Sequence, residues 1–264
     1  MRAAAASSDM FHVPQPLPGA PVRLIGVPYA GGGASVFKGW HTGLPDIELA
    51  AVRLPGRESR FGDPPYTRMG PLVADLADGI AAAADRPYAL FGHSMGARVV
   101  FEVARRLRTL GGPQPRYLFV SGCRAPHLPL RPPTGHLTDP EFVEELRALG
   151  GAPPEFFAEP ELVALLLPLL RADFAVLESY VHTAATPLDI PVRAFCGDAD
   201  PHVSRAQAAA WSEHTSSRFG LTPVAGGHFY LGEQRAALLS TIRDDLQHGP
   251  GGRPDPDSPP KEAR

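Results

Sequence analysis

The chain alternates short apolar runs with segments in which apolar residues recur every three or four positions. A run of four to eight apolar residues bounded by turn residues is typical of a buried strand, whereas the three-to-four spacing is typical of a helix that covers a sheet. The predicted strands lie at residues 22–27, 47–54, 87–91, 117–120, 190–197 and 218–225. The alternation predicts an α/β fold, with a mostly parallel sheet, right-handed crossovers and helices on both faces.

The alternation is interrupted after the fourth of these strands. Residues 138–149 and 159–183 read as helices, the second broken or kinked near Pro168. The second helix is apolar nearly all round, so it must cover something. It could pack in the core, or residues 124–187 could form a helical lid that leaves a hydrophobic channel beneath it. The insertion between two late strands favours the lid.

Length and composition fit one large domain. The chain has 264 residues, of which 44% are hydrophobic, enough for a single α/β core. We expect that domain at residues 21–248. Residues 1–20 lack periodicity and are predicted to be a flexible arm, and residues 249–264, dense in proline and charge, to be a disordered tail.

Charge and cysteine content exclude several classes of function. The net charge is −3 and the arginines are scattered, so no nucleic-acid partner is expected. Two cysteines do not make a disulfide framework, and no stretch has the length of a membrane span or the pattern of a signal peptide. A soluble cytoplasmic protein without a membrane partner is the expectation.

The strand ending at Phe91 runs into the sequence G-H-S-M-G, which opens a helical segment. A serine held at such a strand-to-helix turn is a nucleophile elbow, and the two flanking glycines, Gly92 and Gly96, remove side chains where the backbone is crowded. Ser94 is the predicted nucleophile. The N–H of Met95, at the start of the helix, is a predicted oxyanion donor.

A glycine-rich turn, P-Y-A-G-G-G-A-S, follows the first predicted strand. It lacks the lysine of a phosphate-binding loop and does not fit the spacing G-x-G-x-x-G. We therefore expect it to supply the second oxyanion donor, from the N–H of Ala30, with Tyr29 as the rival.

A serine needs a base and an acid, and late strands supply candidates for both. His228 follows the last strand and is the predicted base, with His202 as the competitor. Asp200 follows the strand before it and is the predicted acid, with Asp198 as the alternative. The order serine, acid, histidine is that of the α/β-hydrolases.

A metal cluster is the other interpretation of Asp198, Asp200 and His202. Three nearly consecutive residues lack the geometry and the further ligands that zinc or iron requires. Catalysis with no metal and no cofactor is therefore expected.

With these residues in place, the chain resembles the type II thioesterases of polyketide synthase and nonribosomal peptide synthetase systems, which have the α/β-hydrolase fold. The matching segments include P-Y-A-G-G-G-A-S, F-G-H-S-M-G-A, G-D-A-D-P-H-V and G-G-H-F-Y-L. The most specific is L-P-G-R-E-S-R at residues 54–60, which by composition alone is a solvated turn.

The resemblance implies a serine thioesterase with the triad Ser94, His228 and Asp200. It would hydrolyse acyl groups from the phosphopantetheine arm of an acyl or peptidyl carrier protein, clearing stalled or wrongly primed synthases. A monomer is expected. Two other functions stay open: a carboxylesterase or lipase that uses the same triad on oxygen esters, and a partner protein that docks on the synthase without catalysis.

Overall fold

The computed structural model describes residues 9–151 and 154–248. Within them lies one sheet of seven strands in the order β1-β3-β2-β4-β5-β6-β7, in which β1 is antiparallel to β3 and every other pair is parallel. The strands are β1 Phe11–His12, β2 Val22–Val27, β3 Ile47–Val52, β4 Tyr88–His93, β5 Leu118–Ser121, β6 Val192–Gly197 and β7 Phe219–Val224. The predicted, mostly parallel sheet is confirmed.

The first strand corrects the expectation of a flexible arm over residues 1–20. Phe11 pairs with Val52, and the carbonyl of Met10 accepts a hydrogen bond of 2.8 Å from the N–H of Arg53. A two-residue strand gives almost no periodic signal, so the sequence did not reveal it. Residues 1–8 of the predicted arm, and the predicted disordered tail at 249–264, lie outside the described residues.

Helices cover both faces of the sheet, as predicted. On one face, α1 (Met69–Ala83) and α2 (Met95–Thr109) bury an apolar stripe against the strands. On the other, α7 (Arg235–His248) and the short 3₁₀ helices Ala34–Phe37 and Trp40–Gly43 enclose a second core. Burying both faces is what allows strands this apolar to form a parallel sheet.

In the described residues between β5 and β6, three helices are inserted: α3 (Asp139–Leu149), α4 (Pro154–Phe157) and α5 (Pro160–Glu178). A capping box of Thr138 and Glu141 starts α3. The helix is not broken near Pro168, because α5 runs through this proline as one helix, and a kink there stays a prediction.

The two interpretations of the apolar helix each describe one half of α5. Its C-terminal half buries Ala172, Asp173 and Val176, and Val176 belongs to the same apolar core as α1 and α2. Its N-terminal half leaves Leu162 and Leu165 exposed. The insertion is therefore a helical lid anchored at one end in the core.

The carboxyl ends of the parallel strands meet at one edge of the sheet, and the loops that follow β2, β4, β6 and β7 all open there. After β6 the chain forms α6 (Arg205–Ala209) and the 3₁₀ helix Ala210–His214. No helix in the described part of the chain combines the length and the apolar character that crossing a membrane requires.

Candidate active site

Ser94 lies at the turn between β4, which ends at His93, and α2, which begins at Met95. Its backbone has φ 53° and ψ −112°, a region that residues with a side chain rarely adopt. The Ser94 N–H donates to the Ser121 carbonyl over 2.8 Å, which ties the turn to the neighbouring strand. A strained serine fixed in this way is what a nucleophile elbow requires.

The glycines on either side of Ser94 are required by contact. A Cβ placed on Gly92 would overlap the backbone of Gly96, and a Cβ on Gly96 would overlap the carbonyl oxygen of Val27 in β2. Even alanine at either position would therefore force the turn apart. This is the crowding that the sequence spacing predicted.

Ser94, His228 and Asp200 form one hydrogen-bonded chain. The Ser94 Oγ lies 3.1 Å from Nε2 of His228, and Nδ1 of His228 lies 2.8 Å from Oδ2 of Asp200. The side chain of Asp200 is 0% exposed and that of His228 is 8% exposed. The structure thus brings the three residues together from loops far apart in sequence.

Asp200 is held as a carboxylate by its surroundings. Burial alone would raise its pKa, but the hydrogen bond from His228 and those from the N–H groups of His202 and Val203 to its Oδ1 outweigh burial, so the pKa of Asp200 is lowered. These three hydrogen bonds also fix the carboxylate in place. Asp198 is exposed and accepts instead from the N–H of Gly226, in the loop that carries His228.

His202, the competing histidine, is not hydrogen-bonded to the serine. The Nδ1 of His202 lies 3.2 Å from a guanidinium nitrogen of Arg131, and its ring centre is 5.5 Å from that of His228. His202 therefore holds the Asp200 carboxylate through its backbone N–H, and its ring packs beside the ring of His228.

His93 is fully buried behind the elbow. Its Nδ1 lies 2.9 Å from the Ser121 hydroxyl, which lies 2.7 Å from the Tyr230 hydroxyl. Burial, followed by the nearby His228, lowers the pKa of His93 to about 3, so the ring is neutral at ordinary pH.

The glycine-rich turn after β2 faces the serine across the site. The N–H of Gly31 donates to Asp173 and that of Gly32 to the Tyr29 carbonyl, whereas the described residues give the N–H of Ala30 no hydrogen-bond partner. Met95 is the first residue of α2, so its N–H has no acceptor within the helix. Both groups border the same cavity as Ser94, and their role as oxyanion donors stays a prediction.

A cavity of about 750 Å³ opens above the serine. Ser94 and His228 lie in its wall, and the lid supplies much of the rest through apolar side chains. Those of α3 and α5 include Leu146, Leu149, Leu162, Leu166, Leu169 and Leu170. The volume lies in the range of small-molecule sites, and the lining suits an apolar chain.

The buried environment of Arg57 and the importance of Asp173 are not apparent from the sequence pattern. Arg57 was expected in a solvated turn, yet its side chain is 6% exposed and forms an ion pair with Asp173, which is 4% exposed. The expectation was wrong because the partner lies far along the chain. The signal that could have revealed it is a single carboxylate on the otherwise apolar face of α5.

Side chains that could bind a metal ion do not cluster in the described part of the chain. Among residues 9–151 and 154–248, no group of three or more histidine, cysteine, aspartate or glutamate side chains is arranged to hold a metal ion. Asp198, Asp200 and His202 instead make the separate hydrogen bonds described above.

Known proteins resemble this chain in sequence. The model of the thioesterase domain family matches residues 22–246. Linear gramicidin dehydrogenase LgrE of Brevibacillus parabrevis is 42% identical over 86% of this chain and 89% of its own length. Thioesterase PikA5 of Streptomyces venezuelae is 39% identical over 89% and 84%. Despite the name of LgrE, Gly31, Gly32 and Gly33 do not have the spacing of a dinucleotide-binding turn.

A solved structure matches the fold as well. YbtT, a type II thioesterase from the yersiniabactin pathway of nonribosomal peptide and polyketide synthesis, superposes with a TM-score of 0.82 at 36% identity, over 90% of this chain and 98% of that one. The predicted α/β-hydrolase fold with its helical lid is confirmed. The chain belongs to the thioesterase family, and its resemblance to the type II thioesterases is confirmed.

Proposed function

We propose that this protein is an editing thioesterase that hydrolyses acyl groups from the phosphopantetheine arm of carrier proteins in polyketide or nonribosomal peptide synthesis. The observation that supports this most strongly is the chain Ser94, His228 and Asp200 at the wall of a lid-covered apolar cavity. Such a site joins a nucleophile to a space for an acyl chain. Family membership supplies the thioester chemistry.

Acylation begins with attack of the Ser94 oxygen on the thioester carbonyl. The Nε2 of His228 takes the hydroxyl proton as the bond forms, and the Asp200 carboxylate stabilises the resulting imidazolium without itself taking the proton. The carbonyl oxygen becomes an oxyanion, which we place between the N–H groups of Ala30 and Met95. The carbon–sulfur bond then breaks, and His228 gives the proton to the departing thiolate, which leaves as the thiol.

Deacylation repeats these steps with water. His228 removes a proton from a water molecule that attacks the acyl-serine carbonyl, and the same N–H groups stabilise the second oxyanion. Collapse of that intermediate breaks the carbon–oxygen bond, returns the proton to Ser94 and releases the carboxylic acid.

The lid and the sheet edge suggest how a carrier-bound substrate would fit. The acyl chain would occupy the apolar cavity beneath α5, while the pantetheine arm would extend out toward the carrier protein. The partner is thus an acyl or peptidyl carrier protein. A monomeric state and a cytoplasmic location stay predictions of the sequence.

The direct test is mass spectrometry of carrier proteins that have been loaded with acyl groups of different length and then incubated with the enzyme. We expect loss of the acyl group from the carrier with the wild-type protein and none with Ser94→Ala. Faster hydrolysis of an oxoester than of the matched thioester would favour a carboxylesterase instead. Intact acyl-carrier after prolonged incubation, without labelling by a fluorophosphonate, would favour a docking protein without catalysis.

A further inference from the structure

The turn that carries Ala30 is fixed by a carboxylate from the lid. Oδ2 of Asp173, in α5, accepts a hydrogen bond of 2.7 Å from the N–H of Gly31. Asp173 is almost fully buried and is 142 positions from Gly31 in sequence. The lid helix therefore contacts the backbone of the turn next to the residue we assign to the oxyanion site.

Arg57 joins the same contact from a different loop. Its two terminal nitrogens donate to the two oxygens of Asp173 over 2.7 and 2.8 Å, and one of them also donates to the carbonyl of Gly32 over 3.0 Å. Arg57 thus holds Asp173 and the far side of the turn at once. A planar guanidinium is suited to this, because it donates in several fixed directions.

Glu58, the next residue, holds the end of the turn. Its two carboxylate oxygens accept from the N–H groups of Ala34 and Ser35, each over 2.9 Å. Burial alone would raise the pKa of Glu58, but hydrogen bonds from Ser35 and Ala34 outweigh it and lower the pKa. Glu58 has a positive φ of 49°, so its backbone is strained to bring the carboxylate here.

The close surroundings of the turn explain why glycine occupies two of the three adjacent positions. Gly31 has a φ of 80°, and a Cβ on it would lie 2.6 Å from Cδ2 of Leu170 in the lid. A Cβ on Gly33 would overlap the carboxylate of Glu58. The glycine-rich turn and the L-P-G-R-E segment are therefore two halves of one structure.

The geometry fixes the direction of the Ala30 N–H. The Tyr29 carbonyl and the Ala30 N–H belong to one planar trans peptide, so they point in opposite directions. Gly32 donates to that carbonyl over 2.9 Å, which turns it into the loop and the N–H away from it. Asp173 and Arg57 hold Gly31 and Gly32, so they hold this peptide through them.

We propose that Arg57, Glu58 and Asp173 are positioning residues that hold the turn at residues 28–35 in the conformation that stabilises the oxyanion. Through Asp173, the lid helix contributes to the chemical step as well as to the cavity. The proposal rests on the proposed function in assigning Ala30 to the oxyanion site. Net stability is a weak reason for such a pair, since apolar residues of similar volume often replace a buried ion pair without loss.

The test is the double variant Arg57→Met with Asp173→Leu, which removes both buried charges together. Its melting temperature should stay near that of the wild type, because neither charge is left unpaired. Its kcat should fall about 10- to 100-fold, the effect of a small displacement in a reacting geometry, with KM changed less than about threefold. The substrates are p-nitrophenyl acetate and an octanoyl thioester, so the oxyanion site is probed whether or not carrier-bound thioesters prove to be substrates.

A matched control uses a second ion pair, which is slightly more exposed. Arg193 and Asp245 also form a two-point contact, with one bond of 2.8 Å, but Arg193 is near the start of β6, at the end of the sheet opposite Ser94. The double variant Arg193→Met with Asp245→Leu should keep the wild-type kcat. An equal fall in both double variants would show general destabilisation and overturn the proposal.

Glu58→Ala is a second variant that tests the proposal even if the first double variant fails to fold. Glu58 is exposed, so the substitution should preserve the fold, yet it removes both acceptors from the end of the turn. We expect about a tenfold fall in kcat with little change in KM. A folded Glu58→Ala enzyme, or a folded Arg57→Met, Asp173→Leu enzyme, with wild-type kcat on both substrates overturns the proposal. If the wild-type enzyme hydrolyses both small substrates but does not hydrolyse carrier-bound acyl groups, the proposed function is refuted instead.

Discussion

Oδ2 of Asp200 and Nδ1 of His228 lie 2.8 Å apart, although the two residues are 28 positions apart in sequence. They follow β6 and β7, two parallel strands whose paired residues run from Val192 with Phe219 to Gly197 with Val224. Because parallel neighbours end at the same edge, the loops beyond them are brought together by the sheet itself. Asp200 and His228, the proposed acid and base, are therefore positioned by strand pairing, and the role of each can be tested separately.

Replacing Asp200 with asparagine should lower kcat by about 10³- to 10⁴-fold, because the amide cannot stabilise the protonated imidazole or hold its tautomer as the carboxylate does. The measurement is steady-state hydrolysis of an octanoyl thioester. Asp198→Asn is the matched control and should lower kcat less than about tenfold, since Asp198 bonds Gly226 and not His228. Equal losses in the two variants would argue against Asp200 as the acid.

His228→Ala should lower kcat by about 10⁴-fold or more, because no other group is within hydrogen-bond distance of the Ser94 hydroxyl in the described residues. His202→Ala should change kcat less than about tenfold, since the backbone N–H that bonds Asp200 is retained. Activity is compared on the same thioester. A large loss in His202→Ala with a small one in His228→Ala would reverse the assignment.

Filling the cavity should shorten the acyl groups that the enzyme accepts. Leu166 of α5 lines the cavity, so Leu166→Trp should lower kcat/KM for an octanoyl thioester about tenfold or more while the acetyl thioester is affected less. Leu165, its neighbour, is 56% exposed, and Leu165→Trp should leave the ratio of octanoyl to acetyl activity unchanged. The same shift in both variants would mean that the cavity does not hold the acyl chain.

Stability should fall as the pH drops from about 6.5 toward about 3, in part because of His93. Its pKa is lowered in the folded state, so between these values the unfolded chain binds a proton that the folded protein excludes. The free energy of unfolding then decreases by about 1.4 kcal/mol per pH unit for this group.

His93→Asn should reduce that slope, whatever it does to stability at pH 7. The comparison is urea unfolding of the two proteins at several values of pH from 4 to 7. A slope identical to that of the wild type would show that His93 is not the buried neutral group described here.

The sequence predicted most of the site residues that the sheet positions. It predicted few of the hydrogen bonds and ion pairs that join one loop to another. Ser94, Asp200 and His228 follow predicted strands, so topology alone placed them at one edge. The burial of Arg57 was not predicted, because the sequence around it does not show its partner, Asp173, which lies in a helix more than a hundred positions away. The strand at Phe11–His12 is too short for a periodic signal. Pro168 does not break α5, because tertiary packing can override the low helix propensity of a proline.

The most direct test of the account is whether Ser94 carries the acyl group. Wild-type protein and Ser94→Ala are mixed with an octanoyl thioester, quenched in acid and weighed by intact-protein mass spectrometry, while thiol release is followed in parallel. We predict an octanoyl adduct on Ser94 in the wild type, and in Ser94→Ala neither an adduct nor turnover above a small residual rate. A folded Ser94→Ala protein that releases thiol at the wild-type rate would contradict the account.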